Sequence, residues 1–542
     1  MRTQSLIFTL GLCCIASLAS PTQIVLGTSP VVEPQPVRKL HGRFLHITDI
    51  HPDPFYEPGA SRASACHRPN LKKDKRPAGY YGAPYSSCDS PFSLTNFTLD
   101  FLDEHWTSEI DFVIWTGDNA RHDNDHDIPR PLDEIFDLNR AVAKKMEHVF
   151  LRKGIPVVPS LGNNDIWRPN KIFEEFSSIW SAFIPPTSSA SFHQGGYFST
   201  EIIPDAVAAI SINTLYFYQK NHAVEGCRYA DPKDPGNIHL DWLEEQLEGF
   251  RSRQMQYFPE CYYRFVELNL RFQDTILGNL YGHLNIDHFS FLKADEIDMS
   301  IKTSSSSTLF RTLITDFSEI PEPLEDTQYD NYAVVNVNSA IVPNPYIPSF
   351  RIFTYNTTGL ARFVKDIGSD PYLETMKATQ RQRALNHEQV HAFKKKPKCE
   401  RKKSRNTWRC HFDKPWHSDS ESPSRRNSLW SPLGFAQFYM PRLAEFDQTH
   451  DPEFELEYMT FPLSTLHLDE EAQNITNHQY VIPLRLLPEE LRQPGAVESE
   501  YTPYELNDLT IPSWLDLATR LTKNKKLRSR FKEFMYLGGV EE

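Results

Sequence analysis

The chain has 542 residues, which is long for one domain, and 39% of them are apolar, enough to bury a large core. Its net charge of −14 argues against a general nucleic-acid-binding protein. The sequence shows no repeat at the roughly 20- to 50-residue periods of solenoids and propellers, which excludes those architectures.

The N-terminal residues 1–19 have the pattern of a secretory targeting segment. Arg2 precedes an apolar run at 6–16, and Ser17-Leu18-Ala19 supplies a small-x-small cleavage pattern. The run is shorter than the roughly 20 apolar residues of a membrane span, so we expect either a cleaved signal peptide or an uncleaved signal anchor. Either one places the body of the chain in the lumen of the secretory pathway or outside the cell.

Strand-like and helical patterns then alternate along residues 41–290. Apolar or alternating runs predict strands, and apolar residues at helical spacing predict helices. The predicted strands are 43–48, 111–116, 155–159, 206–210 and 274–280, and the predicted helices are 92–106, 134–152 and 239–253. This alternation predicts an α/β fold.

Polar side chains follow four of these strands. The strand ends read Asp49-Ile50-His51, Gly117-Asp118-Asn119, Gly162-Asn163-Asn164-Asp165 and Gly282-His283-Leu284-Asn285. In α/β sheets ligands bind beyond the carboxyl ends of the strands, and a glycine there lets the backbone turn tightly and come close. Four strand ends with oxygen or nitrogen ligands predict a metal site rather than a set of ordinary polar loops.

The ordered series Asp-x-His, Gly-Asp, Gly-Asn-x-Asp and Gly-His resembles the calcineurin-like metallophosphoesterase family. The longer strings HITDIHPDPFY, WTGDNARHDND, LGNND and LYGHLNIDHF are similar to those of fungal endopolyphosphatases, which belong to the acid sphingomyelinase-like branch of this family. The resemblance covers roughly residues 41–290 and continues weakly through 343–360. It implies a four-layer α/β/β/α sandwich at 41–300. Serines and acids predict a flexible insertion at 301–342, and an irregular C-terminal extension follows at 343–542.

The resemblance also implies two divalent metal ions, for which the ligand types suit Mn, Fe, Zn or Mg. Such a pair of ions clamps phosphate oxygens and activates water. The implied ligands are Asp49 and His51 for the first metal, Asp118 as the bridge, and Asn163 and His283 for the second metal. Asn285 is a further candidate ligand, and its amide oxygen would bind a hard cation more weakly than a histidine does.

His122 and Asp165 are the candidate catalytic residues. His122 could donate a hydrogen bond to the phosphate or to the leaving group. Alternatively, it is a loop histidine paired with its neighbour Asp123.

The sequence departs from the family pattern at three places. Asn164 stands where the family usually has a histidine, and Asn285 stands at the second position of the usual Gly-His-x-His. Both replacements resemble the endopolyphosphatase branch. More seriously, the family has one further strand, ending in a metal-ligating histidine, which is missing here near residues 256–261. We expect either a gap in the reading of the gene or a natural loss that weakens the second metal.

Cysteine usage agrees with the secretory pathway. After the targeting segment six cysteines remain, and their proximity favours the pairs Cys66–Cys88, Cys227–Cys261 and Cys399–Cys410, although other connectivities stay open. Sequons at Asn96, Asn356 and Asn474 predict glycosylation.

The resemblance implies hydrolysis of internal phosphoanhydride bonds of inorganic polyphosphate, with a vacuolar location or, alternatively, secretion. Two other functions stay open: a sphingomyelinase-like phosphodiesterase, and a catalytically impaired protein that binds polyanions. The basic insert at 376–406 could attract a polyanion, or it could be a solvated or protease-sensitive segment.

Overall fold

The computed structural model describes residues 40–541, except for 70–75, 167–171, 219–220, 222–223, 252–260, 299–307, 324–325, 360–406, 413–415, 468–481 and 496–497. The targeting segment 1–19, the basic insert 376–406, Cys399 and Asn474 therefore lie outside the described residues. Among the helices that are described, none is both long and apolar enough to cross a bilayer.

A six-stranded mixed sheet forms the centre of the fold, in the order β11-β10-β9-β1-β2-β3. Its first three strands in sequence pair parallel to one another, and they correspond to the first three predicted strands. The strand β9 pairs antiparallel with β1. The strands are β1 (Arg43–Ile47), β2 (Phe112–Trp115), β3 (Val157–Pro159), β9 (Ser349–Tyr355), β10 (Pro432–Tyr439) and β11 (Glu455–Met459).

Two smaller sheets hold the remaining described strands. An antiparallel pair consists of β4 (Phe198–Ile203) and β5 (Val207–Ser211). A three-stranded sheet has the order β6-β8-β7, with β6 (Asn279–Tyr281), β7 (His288–Lys293) and β8 (Tyr332–Val337).

Helices cover both outer faces. Those before β6 are α1 (Phe92–His105), α2 (Leu132–Val149), α3 (Ile172–Ile179), α4 (Ser189–Gly195), α5 (Pro235–Arg251) and α6 (Cys261–Arg271). Those after β7 are α7 (Ala294–Asp298), α8 (Leu309–Ser318), α9 (Ile511–Lys523) and α10 (Lys525–Tyr536).

The two faces of β5 show how the layers stack. Val207 packs in an apolar cluster with Phe44 and Phe112 of the central sheet, whereas Ile210 packs in a different cluster with residues of α5 and α6. Successive side chains of a strand point to opposite faces, so β5 lies between the central sheet and the helices. On the other face of the central sheet, Trp106 at the end of α1 packs against Phe350. The predicted four-layer α/β/β/α arrangement is confirmed.

The structure corrects three element predictions. The strand predicted at 274–280 begins only at Asn279, because residues 272–275 form a turn after α6. Helix α6 was missed, since its buried Arg264, Glu267 and Arg271 interrupt the apolar pattern. The insertion predicted at 301–342 contains α8 and β8 in its described part, and β8 is the middle strand of its sheet.

The region predicted as a C-terminal extension belongs to the core. It supplies β9, β10 and β11, and β9 lies between β1 and β10. Disulfides Cys66–Cys88 and Cys227–Cys261 are formed as predicted. Cys410 is also disulfide-bonded, and its predicted partner lies outside the described residues.

Candidate metal centre

The carboxyl ends of β1 and β2 meet at the same edge of the central sheet. The backbone N–H of Asp49 donates to the carbonyl of Gly117 at 3.0 Å, and that of Ile50 donates to the carbonyl of Asp118 at 3.1 Å. These bonds continue the β1–β2 pairing past both strand ends. They bring the first two predicted motifs together.

Asp49, His51 and Asp118 form a buried cluster. The His51 Nε2 atom lies 3.6 Å from Asp49 Oδ1 and 3.7 Å from Asp118 Oδ2. One ligand atom from each residue lies within 4.8 Å of the others. Two carboxylates and an imidazole at these distances can surround one cation.

Unpartnered polar atoms show that the cluster fits a metal ion. Asp49 Oδ1, His51 Nε2 and Asn285 Oδ1 are buried and have no hydrogen-bond partner among the described residues. A buried polar atom without a partner costs about 1–3 kcal/mol, so native proteins rarely leave such atoms unpaired. A divalent cation would satisfy such atoms, since oxygen and imidazole nitrogen are its usual ligands.

The charges of the cluster point the same way. Burial, together with the negative charges of Asp49 and Asp165, raises the pKa of Asp118 to about 6, although His51 opposes the shift. Burial lowers the pKa of His51, but the carboxylates of Asp49, Asp118 and Asp89 outweigh it and raise the pKa to about 9. The cluster therefore carries an excess of negative charge, which a bound cation would balance.

Backbone strain is concentrated at these motifs. A left-handed backbone is unusual outside glycine and costs about 1–3 kcal/mol per residue, so a group of them indicates a functional site. Positive φ angles of 42° to 75° occur at Asp49, His51, Asp118, His283 and Asn285.

Two glycines let the motif loops approach the ligands. A Cβ atom on Gly162 would lie 2.1 Å from Asp118 Oδ1, and one on Gly282 would lie 2.3 Å from Asp49 Oδ2. No larger residue fits without moving a carboxylate. The close approach predicted for these glycines is confirmed.

The other predicted ligands, Asn163, His283 and Asn285, lie on the motif loops beside the cluster. The side chains of Asn163 and His283 are exposed, and the backbone N–H of His283 donates to Asp49 Oδ2 at 2.9 Å. Asn285 is buried, and its amide donates to the carbonyl of Asn344 at 2.7 Å. The structure thus gathers Asp49, His51 and Asp118 in a buried cluster and leaves the two predicted second-metal ligands, Asn163 and His283, open to solvent.

Asn164 contacts the Asp118 carboxylate. Its backbone N–H donates to Asp118 Oδ1 at 2.7 Å, and Arg130 donates to its side-chain oxygen at 3.2 Å. Arg130 had no signal in the sequence, because it is one of several basic residues in a loop.

The structure places Asp165, the second candidate catalytic residue, among backbone donors of the motif loops. Asp165 is fully buried and accepts hydrogen bonds from the backbone N–H groups of Asp118, Asn119 and Gly162 at 2.8–3.0 Å. Asn139 donates to it as well, at 3.0 Å. Its oxygens are occupied by the backbone, so Asp165 holds the Asp118 loop in place.

His122 lies next to the cluster and not against Asp123. Its ring stacks on the His51 ring with the centroids 4.2 Å apart, and its Nδ1 atom lies 2.8 Å from Asp89 Oδ1. Asp123 instead accepts from the backbone N–H of Arg130. The alternative of a His122–Asp123 pair is therefore wrong.

Comparisons with known proteins agree with this geometry. The family model of calcineurin-like phosphoesterases matches residues 42–283. The endopolyphosphatase of Cryptococcus neoformans is 36% identical to this chain, and the alignment covers 92% of this chain and 91% of that protein. The endopolyphosphatase of Neurospora crassa is 30% identical over 95% of this chain and 84% of its own length, and that of Saccharomyces cerevisiae is 29% identical over 92% and 86%.

The sandwich and its Asp49–His51–Asp118 cluster are those of a calcineurin-like phosphoesterase, a class of metal-dependent hydrolases. Within this class, the chain belongs to the endopolyphosphatase family.

Proposed function

We propose that this chain hydrolyses internal phosphoanhydride bonds of inorganic polyphosphate and so produces shorter polyphosphates. The buried Asp49–His51–Asp118 cluster carries the proposal, because it supplies a cation site at the sheet edge of a phosphoesterase fold. The substrate is inferred from the relatives, which are endopolyphosphatases.

The cofactors in this proposal are two divalent ions among Mn, Fe, Zn and Mg. When bound, they polarise phosphoryl oxygens and lower the pKa of water. Asp49 and His51 would hold the first ion, Asp118 would serve both ions, Asn163 and His283 would hold the second, and Asn285 would be a weaker ligand. Asn164 and Asp165 keep the Asp118 carboxylate oriented.

A gel assay tests the function. Purified protein with Mn²⁺ or Mg²⁺ should shorten long polyphosphate to chains of intermediate length. Release of monophosphate alone, with the long chains persisting, would contradict internal cleavage. Hydrolysis of sphingomyelin without any effect on polyphosphate would favour the phosphodiesterase alternative.

We also propose that a strand belongs between β5 and β6 and that this chain lacks it. Among the described residues, β5 pairs only with β4, and β6 pairs only with β8. Val207 of β5 and Leu277 just before β6 pack in one apolar cluster on the central sheet. Both strands thus lie in the same layer, and each has one edge that no described strand pairs with.

The helices on either side of this position are firmly joined. The Cys227–Cys261 disulfide fixes the start of α6, and Glu244 of α5 accepts from Arg264 at 3.0 Å and from Arg271 at 2.6 Å. A segment removed between α5 and α6 would therefore leave both helices in place. The second metal, with one ligand fewer, should bind weakly.

Sequencing the transcript across codons 250–265 tests the cause. An additional segment that encodes an apolar strand ending in Gly-His would show that the given chain is an incomplete reading. A transcript that reads straight through would indicate a natural loss.

A secretory route to the vacuole, or to the cell exterior, is the location we propose. It is supported by the targeting pattern at 1–19 and by the disulfides. Asn96 is exposed on α1, which suits a glycan. Treatment with an N-glycosidase should increase the gel mobility of the protein, and no shift would contradict glycosylation at Asn96, Asn356 and Asn474.

A further inference from the structure

Asp89 has a buried carboxylate that the metal cluster does not use. It directly follows Cys88 of the Cys66–Cys88 disulfide and is 3% exposed. No sequence motif marked it. A buried carboxylate needs partners, and its partners show what it does.

The Asp89 carboxylate holds His122 at two points. Asp89 Oδ2 accepts from the backbone N–H of His122 at 2.6 Å, and Asp89 Oδ1 lies 2.8 Å from His122 Nδ1. A carboxylate can only accept, so Nδ1 carries the proton in this pair. Asn344 also donates to Asp89 Oδ1, at 3.1 Å.

Charge favours the same arrangement. Burial acts to raise the pKa of Asp89, but the charge and hydrogen bonds of His122 outweigh it and lower the pKa to about 2. Asp89 is therefore an anion at neutral pH. Charge-assisted hydrogen bonds of this kind are about twice as strong as neutral ones.

The other edge of the His122 ring faces outward. Its Nε2 atom has no hydrogen-bond partner among the described residues, and the side chain is 28% exposed, whereas that of His51 is fully buried. Because the His122 ring stacks on the His51 ring with the centroids 4.2 Å apart, it lies directly beside the Asp49–His51–Asp118 cluster.

We propose that Asp89 is a positioning residue, which fixes the His122 ring so that Nε2 meets an oxygen of the bound phosphate chain. The assignment rests on the proposed function for its substrate. Through Asn344, whose carbonyl accepts from Asn285, Asp89 also joins the His122 loop to the last metal motif. His122 is the group that touches substrate, and Asp89 acts through it.

A double-mutant cycle with H122Q and D89N tests this coupling. Asn keeps the size of Asp but brings an N–H₂ group toward donors, so D89N releases the ring. We expect D89N to lower kcat about 10- to 100-fold with a smaller change in KM, which is less than the roughly 100- to 10,000-fold of a general acid or base itself, because Asp89 acts only through His122. The double variant should be no slower than H122Q alone. Losses that multiply would overturn the proposal.

D53N is the matched control. Asp53 is also buried and accepts from a histidine, with Asp53 Oδ2 2.7 Å from His67 Nε2, but it does not contact His122. Its thermal destabilisation should resemble that of D89N, and its effect on kcat should multiply with that of H122Q. If D53N shows the same non-additivity as D89N, the coupling is general destabilisation and the proposal fails.

A spectroscopic arm is independent of the substrate. In protein labelled with ¹⁵N-histidine, the ring resonances of His122, assigned by their loss in H122Q, should show a protonated Nδ1. D89N should shift these resonances toward a mixture of tautomers. Unchanged resonances would overturn the role of Asp89 even in an active enzyme. A shift in a protein that does not cleave polyphosphate would leave Asp89 assigned and refute the proposed substrate.

Discussion

At the scale of single residues, the metal centre depends on a glycine, which has no Cβ atom, as much as on its candidate ligands. Gly282 lies against Thr48 and Asp49, where a Cβ atom would be 1.9 Å from Thr48 Oγ1. Thr48 in turn donates to Asp49 Oδ2 at 2.5 Å. The Asp49 carboxylate is thus held between the Thr48 hydroxyl and the backbone of the Gly282-His283 motif.

Gly282→Ala should therefore weaken metal binding. The added methyl group has to displace the Asp49 carboxylate, so we expect the Mn²⁺ affinity to fall at least about tenfold, a change of roughly 1.4 kcal/mol. Gly278→Ala is the control, since a Cβ atom there meets nothing within 4 Å. Isothermal titration of both variants gives the answer, and equal affinities would refute the crowding argument.

The sequence could predict those site residues that follow a strand. Asp49, His51 and Asp118 were found because strand ends in an α/β sheet converge. Asp89 and Arg130 were missed, because nothing in their local sequence distinguishes them from other loop residues. Their roles come from contacts across 33 and 34 positions of sequence, with His122 and Asn164 respectively.

At the scale of elements, His67 joins the loop after β1 to the loop after β2. Its ring nitrogens lie 2.7 Å from the carboxylate of Asp53 in the first loop and 2.8 Å from that of Asp125 in the second. The neighbouring Cys66–Cys88 disulfide fixes this loop. Burial lowers the pKa of His67, but the two carboxylates outweigh it and raise the pKa above its usual value.

The His67 contacts should make stability depend on pH. Because the folded-state pKa is raised, their contribution is complete below the unfolded value of about 6.5 and is lost as pH rises through the folded-state pKa. We expect His67→Gln to lower Tm at pH 6 by several degrees more than at pH 9. Exposed His193→Gln is the control. A His67→Gln deficit that grows with pH would contradict this sign.

Strands β5 and β6 each have an edge that is unpaired among the described strands, which gives a second prediction for elements. Amide hydrogen exchange reports the stability of local pairing. Amides of β6, at the edge of its sheet, should exchange faster than those of β8 in the middle, and β5 should behave like β6. Equal protection of all three strands would mean that another segment covers these edges.

Element prediction from sequence succeeded where one pattern dominated. The first three strands and α1, α2 and α5 had clear periodicity. Helix α6 was missed because Arg264 and Arg271 are buried in ion pairs with Glu244, which a hydrophobicity pattern cannot anticipate. Strand β8 was missed because it follows a serine-rich stretch that suggested a loop.

At the scale of the whole molecule, the C-terminal half is required for the fold. The family model ends at residue 283, but β9 lies between β1 and β10 in the central sheet. Arg351 of β9 is fully buried and pairs with Asp287, just after the last metal motif. The metal centre and the C-terminal strands therefore share one core.

A chain that ends at residue 342 should fail to fold. It would expose the β1 edge and leave Asp287 buried without its partner, and breaking such a pair costs about 3–5 kcal/mol. We expect loss of cooperative thermal unfolding by circular dichroism and loss of Mn²⁺ binding, relative to the full chain. A soluble, cooperative 40–342 fragment would show that the sheet is stable without β9.

The metal content of the protein is the decisive measurement for the proposed centre. Equilibrium dialysis against Mn²⁺ should show one tightly bound ion and a second that binds weakly. Asp118→Asn should abolish tight binding, because it removes a carboxylate oxygen of the cluster. Asp205→Asn is the matched control, since Asp205 has the same left-handed backbone, with φ of 55° against 56°, but is exposed on the β4–β5 turn. Tight binding retained in Asp118→Asn, or no binding by the unmodified chain, would contradict the metal centre.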